Sequence, residues 1–172
     1  MLDQFGRRIT YLRISVIDKC NLRCIYCMPH GLVNKTRLSE LLTNDELVEL
    51  ATVFAELGIT KIRLTGGEPL LRPELVELVA RLAKIPGIRV LAMSTNGVLL
   101  KRHARALKEA GLHRVNVSLD TLSREKFATI TGMDQWQAVI DGILEAKAVG
   151  LEPLKVNTVL MKGVNDDELL TL

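Results

Sequence analysis

Apolar and polar positions alternate with period two at five places along the chain, and the stretches between them carry helical spacing. Residues 11–17, 61–65, 88–94, 114–120 and 154–160 read as strands. Residues 43–57 read as a helix. Thr43 and Glu46 form a capping-box pair, Leu47, Leu50, Ala51, Phe54 and Leu57 make an apolar stripe, and Gly58 stops it. Pro73 is expected to open a second helix running to about residue 84. Residues 99–110 give a third helix, closed by Gly111, and a short one follows Ser123. Asp134 is expected to cap a longer helix ending at Gly150. Strands alternating with helices predict an α/β fold of parallel βα units with right-handed crossovers.

Parallel strands covered on both faces are apolar throughout, and these are not. One face of the first strand carries Arg13 and Ser15. The second carries Lys61, Arg63 and Thr65, the fourth Asn116, Ser118 and Asp120, and the fifth Lys155 and Asn157. The opposite faces hold Leu12, Ile14 and Val16; Ile62 and Leu64; Val115, Val117 and Leu119; Leu154, Val156 and Thr158. Helices are expected to cover the apolar side only. The polar side then faces either bulk solvent or a wet enclosure, and the inner face of an incomplete barrel with helices outside supplies the latter. Arg13, Lys61, Arg63 and Lys155 on that face favour the enclosure, because four cations converge on an anion. A phosphate-bearing small molecule is the expected ligand.

In such folds the loops after the strands carry the chemistry. The loop after the first strand holds Cys20, Cys24 and Cys27, the only cysteines of the chain. Three thiols in one eight-residue run do not pair off among themselves, so they point to a metal. Structural zinc completed by His30 is one reading. A four-iron cluster held by three cysteines, with one iron left open, is the other. After the second strand comes Thr65-Gly66-Gly67-Glu68-Pro69, whose glycines permit close backbone approach and positive φ and whose carboxylate suits an ammonium group. An ordinary strand-end turn is the plainer reading. Ser94-Thr95-Asn96-Gly97 ends the third strand, where hydroxyls can bind a ligand or merely shape a turn.

The spacing C-x3-C-x2-C with Tyr26 before the last cysteine, joined to Gly66-Gly67-Glu68, resembles the radical S-adenosylmethionine (SAM) superfamily. Longer stretches narrow the resemblance. Lys61-Ile62-Arg63-Leu64-Thr65-Gly66-Gly67-Glu68-Pro69-Leu70, Val117-Ser118-Leu119-Asp120, Lys155-Val156-Asn157-Thr158-Val159 and Gly163-Val164-Asn165-Asp166-Asp167-Glu168 are similar to the GTP-cyclising members that open molybdenum cofactor biosynthesis. The resemblance runs along essentially the whole chain. It implies a (β/α)6-type partial barrel, here ending after about the fifth strand, as a single domain. It implies a [4Fe–4S] cluster on Cys20, Cys24 and Cys27, SAM at Tyr26, Gly67 and Ser118, and GTP at Arg13, Arg63, Ser94 and Lys155. Serine at position 94 keeps the hydroxyl of the family's usual threonine, and Ile17 stands where the family usually has threonine. A sixth strand and a second cluster, on three further cysteines, are expected only in a C-terminal part that this chain lacks. The resemblance also implies an external electron donor. It leaves open a homodimer, or a partner supplying the other half. A peptide- or RNA-modifying radical enzyme and a zinc-binding or inactive fragment are the competing readings.

Composition narrows the picture further. The chain has 172 residues and a net charge of +3, too small to imply nucleic acid, and few aromatics for base stacking. It has no apolar run of membrane-spanning length and no signal-peptide core. Free cysteines in that context point to a reducing cytoplasm.

Overall fold

The computed structural model describes residues 2–27 and 38–171. Five strands form one unclosed parallel sheet in the order β1-β2-β3-β4-β5: Tyr11–Ser15, Lys61–Thr65, Val90–Thr95, Arg114–Ser118 and Lys155–Asn157. Between them run α1 (Asn44–Glu56), α2 (Leu75–Leu82), α3 (Leu100–Glu109), α4 (Arg124–Thr131) and α5 (Trp136–Ala148). This is the α/β arrangement expected of an incomplete barrel, with sequential strands adjacent and helices on the outside.

The core lies between the apolar face of the sheet and those helices. Ile62, Leu64, Leu91, Met93, Val115 and Val117 have no exposed surface. They form one cluster with Ala51 of α1, Leu78, Val79 and Leu82 of α2, Ala104 and Leu107 of α3, and Val139 and Ala146 of α5. At about 25 cal/mol per Å2 of apolar surface removed from water, this one-sided packing stabilises the sheet. The alternation of burial along β2 and β4 is the period-two pattern of the sequence.

Local signals explain most helix ends. Thr43 accepts from Glu46 N at 3.2 Å while the Glu46 carboxylate accepts from Thr43 N at 2.7 Å, closing the capping box. Gly58 and Gly111, at φ of 99° and 101°, end α1 and α3. Two helix starts differ from expectation. Asp134 does not cap α5. Its carboxylate is held by Arg124, Nη2 to Oδ2 at 2.8 Å and Nε to Oδ1 at 2.9 Å, and the helix begins at Trp136 instead. Pro73 does not open α2 either, because Glu74 turns through φ 56° before the helix starts at Leu75.

The fifth strand is shorter than its sequence pattern, and Val156, its central apolar residue, is 45% exposed, while Leu154 before it packs against the core. Its ladder ends at Asn157 because side chains claim the next groups. Thr158 Oγ1 donates to Leu119 O, and Val159 N donates to the Asp120 carboxylate. Asn165, fully buried, donates to Asp120 O at 2.6 Å and Val159 O at 3.0 Å. The final stretch forms a single 3-10 turn, Asp166–Glu168. No described helix is long and apolar enough to cross a membrane.

Candidate functional site

The register fixes which side chains share a level on the polar face. Tyr11, Lys61 and Val90 are level with one another, as are Arg13, Arg63, Ala92 and Arg114. Nearer the strand ends lie Ser15 beside Thr65, and Ser94 beside Asn116 and Lys155, followed by Ser118 beside Asn157. Arg13, Arg63, Ser94, Ser118 and Lys155, five residues singled out from sequence, therefore lie on one face. No acidic residue occurs at any of these paired positions. Among the described residues Arg63 is oriented by neutral groups alone: Nε donates to Tyr11 Oη, and Nη1 to Ser94 Oγ at 3.1 Å. Its charge stays uncompensated and available to an anion.

The cysteine loop stands at the C-terminal end of β1 and is clamped from outside. Arg23 N donates to Thr131 O at 2.8 Å and Ile25 N to Ile130 O at 2.9 Å, tying the loop to the end of α4. Leu22 plugs it into the core at 4% exposure. Cys20 and Cys24 are half-buried and Cys27 is exposed. Cys20 Sγ accepts from Leu22 N at 3.4 Å and from Asn96 Nδ2 at 3.7 Å. Burial pushes the Cys24 thiol up to about 11, so metal binding there must displace a proton.

Among the described residues no three His, Cys, Asp or Glu side chains converge on a single metal position. A mononuclear zinc ion demands such convergence. A four-iron cluster does not, since each cysteine binds a different iron. The donor set, its loop and the N–H groups aimed at sulfur fit the cluster. His30, the fourth ligand of the zinc reading, lies outside the described residues.

Tyr26 donates its hydroxyl to Asp120 Oδ2 at 2.8 Å. Burial and the neighbouring carboxylate push the phenol up. The hydroxyl is thus spent on Asp120, leaving the ring and backbone of Tyr26 for any cofactor contact. Asp120 joins three parts of the site: the cysteine loop through Tyr26, the end of β4, and the segment after β5 through Val159 N.

Gly66 and Gly67 follow β2, and their role is close approach rather than positive φ, which neither adopts. A Cβ on Gly66 would meet Ile17 O at 2.3 Å, and one on Gly67 would meet Lys19 O at 2.3 Å. Gly67 N donates to Ile17 O and Glu68 N to Lys19 O, both at 2.7 Å. Ile17 is a core residue at 2% exposure.

Glu68 departs from the sequence reading, because it offers no carboxylate to an ammonium group. It is fully buried and accepts from Thr95 Oγ1 at 2.7 Å, Leu70 N at 3.0 Å and Asn96 N at 2.7 Å. Burial raises its carboxyl, and the three donors oppose that shift. Its job is to lock the loop after β2 to the loop after β3, which sets Asn96 against Cys20. Glu68→Gln is expected to lower stability by about 1–3 kcal/mol, since the amide turns a donor toward N–H or O–H groups that need acceptors. Urea unfolding checks this; an unchanged midpoint refutes it.

Sequence reasoning missed Asp120 as a tether, Asn96 as a sulfur donor, and Arg114. Asp120 and Asn96 stood in stretches already singled out, but their partners lie 94 and 76 residues away.

Comparison with known proteins agrees with this geometry. The family model of the radical SAM superfamily matches residues 14–172. A protein of Thermodesulfovibrio yellowstonii named GTP 3′,8-cyclase is 56% identical over 170 residues, covering 98% of this chain and 53% of that protein. Molybdenum cofactor biosynthesis protein 1 of Mus musculus is 49% identical, over 99% of this chain and 27% of that protein. The chain thus spans about half the length of the bacterial relatives it matches. Among solved structures, Streptococcus suis SuiB bound to its precursor peptide shares the fold, with a TM-score of 0.77 at 19% identity over 94% of this chain and 36% of that one. SuiB bound to S-adenosylmethionine gives a TM-score of 0.76 over 94% of this chain and 37% of that one. With its cysteine loop seated over an open parallel sheet whose inner face is cationic, the chain belongs to the radical SAM superfamily.

Proposed function

We propose that this chain is the radical-generating part of an enzyme that converts GTP to its 3′,8-cyclised dihydroguanosine triphosphate for molybdenum cofactor synthesis. The observation that carries the reading is the placement of Arg13, Arg63 and Lys155 on one face, below the cysteine loop, whose paired positions hold no carboxylate. The similarity to GTP 3′,8-cyclases supports it. Cys20, Cys24 and Cys27 hold a [4Fe–4S] cluster, and Tyr26, Gly67 and Ser118 contact SAM. Cluster and cofactor together supply a one-electron reductive cleavage that yields a hydrogen-abstracting radical.

The chain's own residues bind and orient. Arg13, Arg63 and Lys155 take the phosphates of GTP, and Ser94, which already holds Arg63, lies level with Lys155's partner Asn116. The helices seal the outer side of the sheet and exclude water there. The chain is one domain of that enzyme. A second cluster, an external electron donor, and the groups that position the guanine belong outside it.

Anaerobic reconstitution is expected to give a brown protein with about four irons per chain. With a strong reductant it should release 5′-deoxyadenosine slowly and form negligible cyclised GTP on its own, because modest misplacement of reacting atoms costs orders of magnitude. Stoichiometric zinc with negligible iron overturns the reading. Iron loading without nucleotide binding favours a peptide- or RNA-modifying enzyme instead. Replacing Arg63 or Lys155 by alanine should weaken GTP binding by roughly 1.5–3 kcal/mol each, with iron content unchanged. Titration calorimetry measures this, and an undiminished affinity in both variants removes the phosphate assignment.

A further inference from the structure

We propose that Arg114 reads the length of the substrate's phosphate chain, taking an outer phosphate and setting a preference for triphosphate over shorter nucleotides. The proposal rests on the GTP reading above and adds a residue and a selectivity to it.

Two buried polar atoms on β4 have no hydrogen-bond partner: Arg114 Nε and Asn116 Oδ1. Both belong to the inner face, since Val115 and Val117 between and beside them are fully buried against the helices. Leaving a buried N–H or a buried carbonyl unsatisfied is costly, so such a pair calls for a partner from outside the protein. The two orphans have opposite polarity. Arg114 offers a charged donor and wants an acceptor. Asn116 Oδ1 is an acceptor and wants a donor. A nucleotide carries both along its length, with hydroxyl donors on the ribose and acceptor oxygens on the phosphates. The pair therefore sets an orientation, ribose toward Asn116 and phosphates toward Arg114.

That orientation agrees with the rest of the face. Asn116 lies level with Ser94 and Lys155, nearer the cysteine loop where a reacting ribose carbon must sit. Arg114 is one level farther from that loop, in the row that holds Arg13 and Arg63. Between Arg63 and Arg114 in that row stands Ala92, which is buried and contributes only a methyl group, so no long side chain separates the two arginines along the row. Arg63 is already turned toward Tyr11 and Ser94, whereas no described side chain orients Arg114. Asn116 and Arg114 are two residues apart, about 6.6 Å along the strand, and the arginine side chain extends the span. A ribose held at Asn116 thus brings its outer phosphates, rather than its first, to Arg114. The planar fork of a guanidinium suits a terminal phosphate, which presents more free oxygens than a bridging one.

The test is binding of GTP, GDP and GMP to the reconstituted wild-type chain, Arg114→Met and Arg114→Lys, with iron content and far-UV circular dichroism recorded for each. Arg114→Met should bind GTP about tenfold or more weakly and GMP unchanged, collapsing the GTP-to-GMP ratio. Arg114→Lys, which keeps the charge, should fall between. Inorganic tripolyphosphate should compete with GTP in the wild type and lose potency in Arg114→Met. Equal loss for GTP and GMP, or no loss for GTP, in folded iron-loaded variants overturns the role of Arg114 while leaving the GTP reading intact. Failure of the wild type to bind any of the three nucleotides overturns the substrate reading, and this assignment with it.

Discussion

Alanine at Gly67 is expected to destabilise the protein by about 3 kcal/mol or more and to disorganise the site, although it adds a single methyl group. The added Cβ would lie 2.3 Å from Lys19 O and 2.6 Å from Asp18 O. Both are backbone atoms, so no side chain can swing aside. Relief requires the end of β1 to part from the end of β2, which breaks the 2.7 Å bonds from Gly67 N to Ile17 O and from Glu68 N to Lys19 O. Overpacking against a core costs about 1–3 kcal/mol when side chains can adjust, and more when they cannot. The segment displaced, residues 17–19, leads directly into Cys20, so cluster binding should fail together with stability. Gly163 supplies the control. It has a positive φ of 75° but nothing within 4 Å of its would-be Cβ, so alanine there meets conformational strain alone, about 1–2 kcal/mol. For a chain of this size each kcal/mol moves the melting temperature about 2–4 °C. A Gly67→Ala melt close to that of Gly163→Ala contradicts the packing of these two loops.

What the sequence disclosed, and what it hid, divide along the range of the interactions. The polar face of the sheet was legible because alternation along each strand is local, while the register that sets Arg13 beside Arg63 came only with the structure. The capping box of α1 was legible for the same reason, with partners three residues apart. Asp134 misled because a helix cap is decided by competition. Arg124, ten residues earlier, offers the same carboxylate a charged fork, and two charge-assisted bonds outweigh one neutral cap. Glu68 misled because a carboxylate beside two glycines suggests an exposed ligand, while the groups that bury it lie 27 and 28 residues away on another loop. Arg114 escaped notice as the first residue of its strand, where a cation reads as a surface residue until the register places it beside Ala92, in one row with Arg63.

The largest chemical effect is expected from Cys24→Ala. Iron should fall from about four per chain to well under one, the visible absorbance should vanish, and 5′-deoxyadenosine should drop below detection under strong reductant. The reason is chemical rather than structural. With one of three thiolates gone, two irons of the cube lack a protein ligand in a loop only eight residues long, and no other described His, Cys, Asp or Glu group completes the set. The fold should survive, because the loop is held by main-chain bonds, Arg23 N to Thr131 O and Ile25 N to Ile130 O, which the substitution does not touch. Far-UV circular dichroism should therefore match the wild type. Loss of helix signal together with iron would instead make the loop a folding element, in the manner of a structural metal site. A folded Cys24→Ala chain that retains full iron and still cleaves SAM would remove Cys24 from the ligand set, and with it the physical basis for the open iron on which the whole functional reading depends.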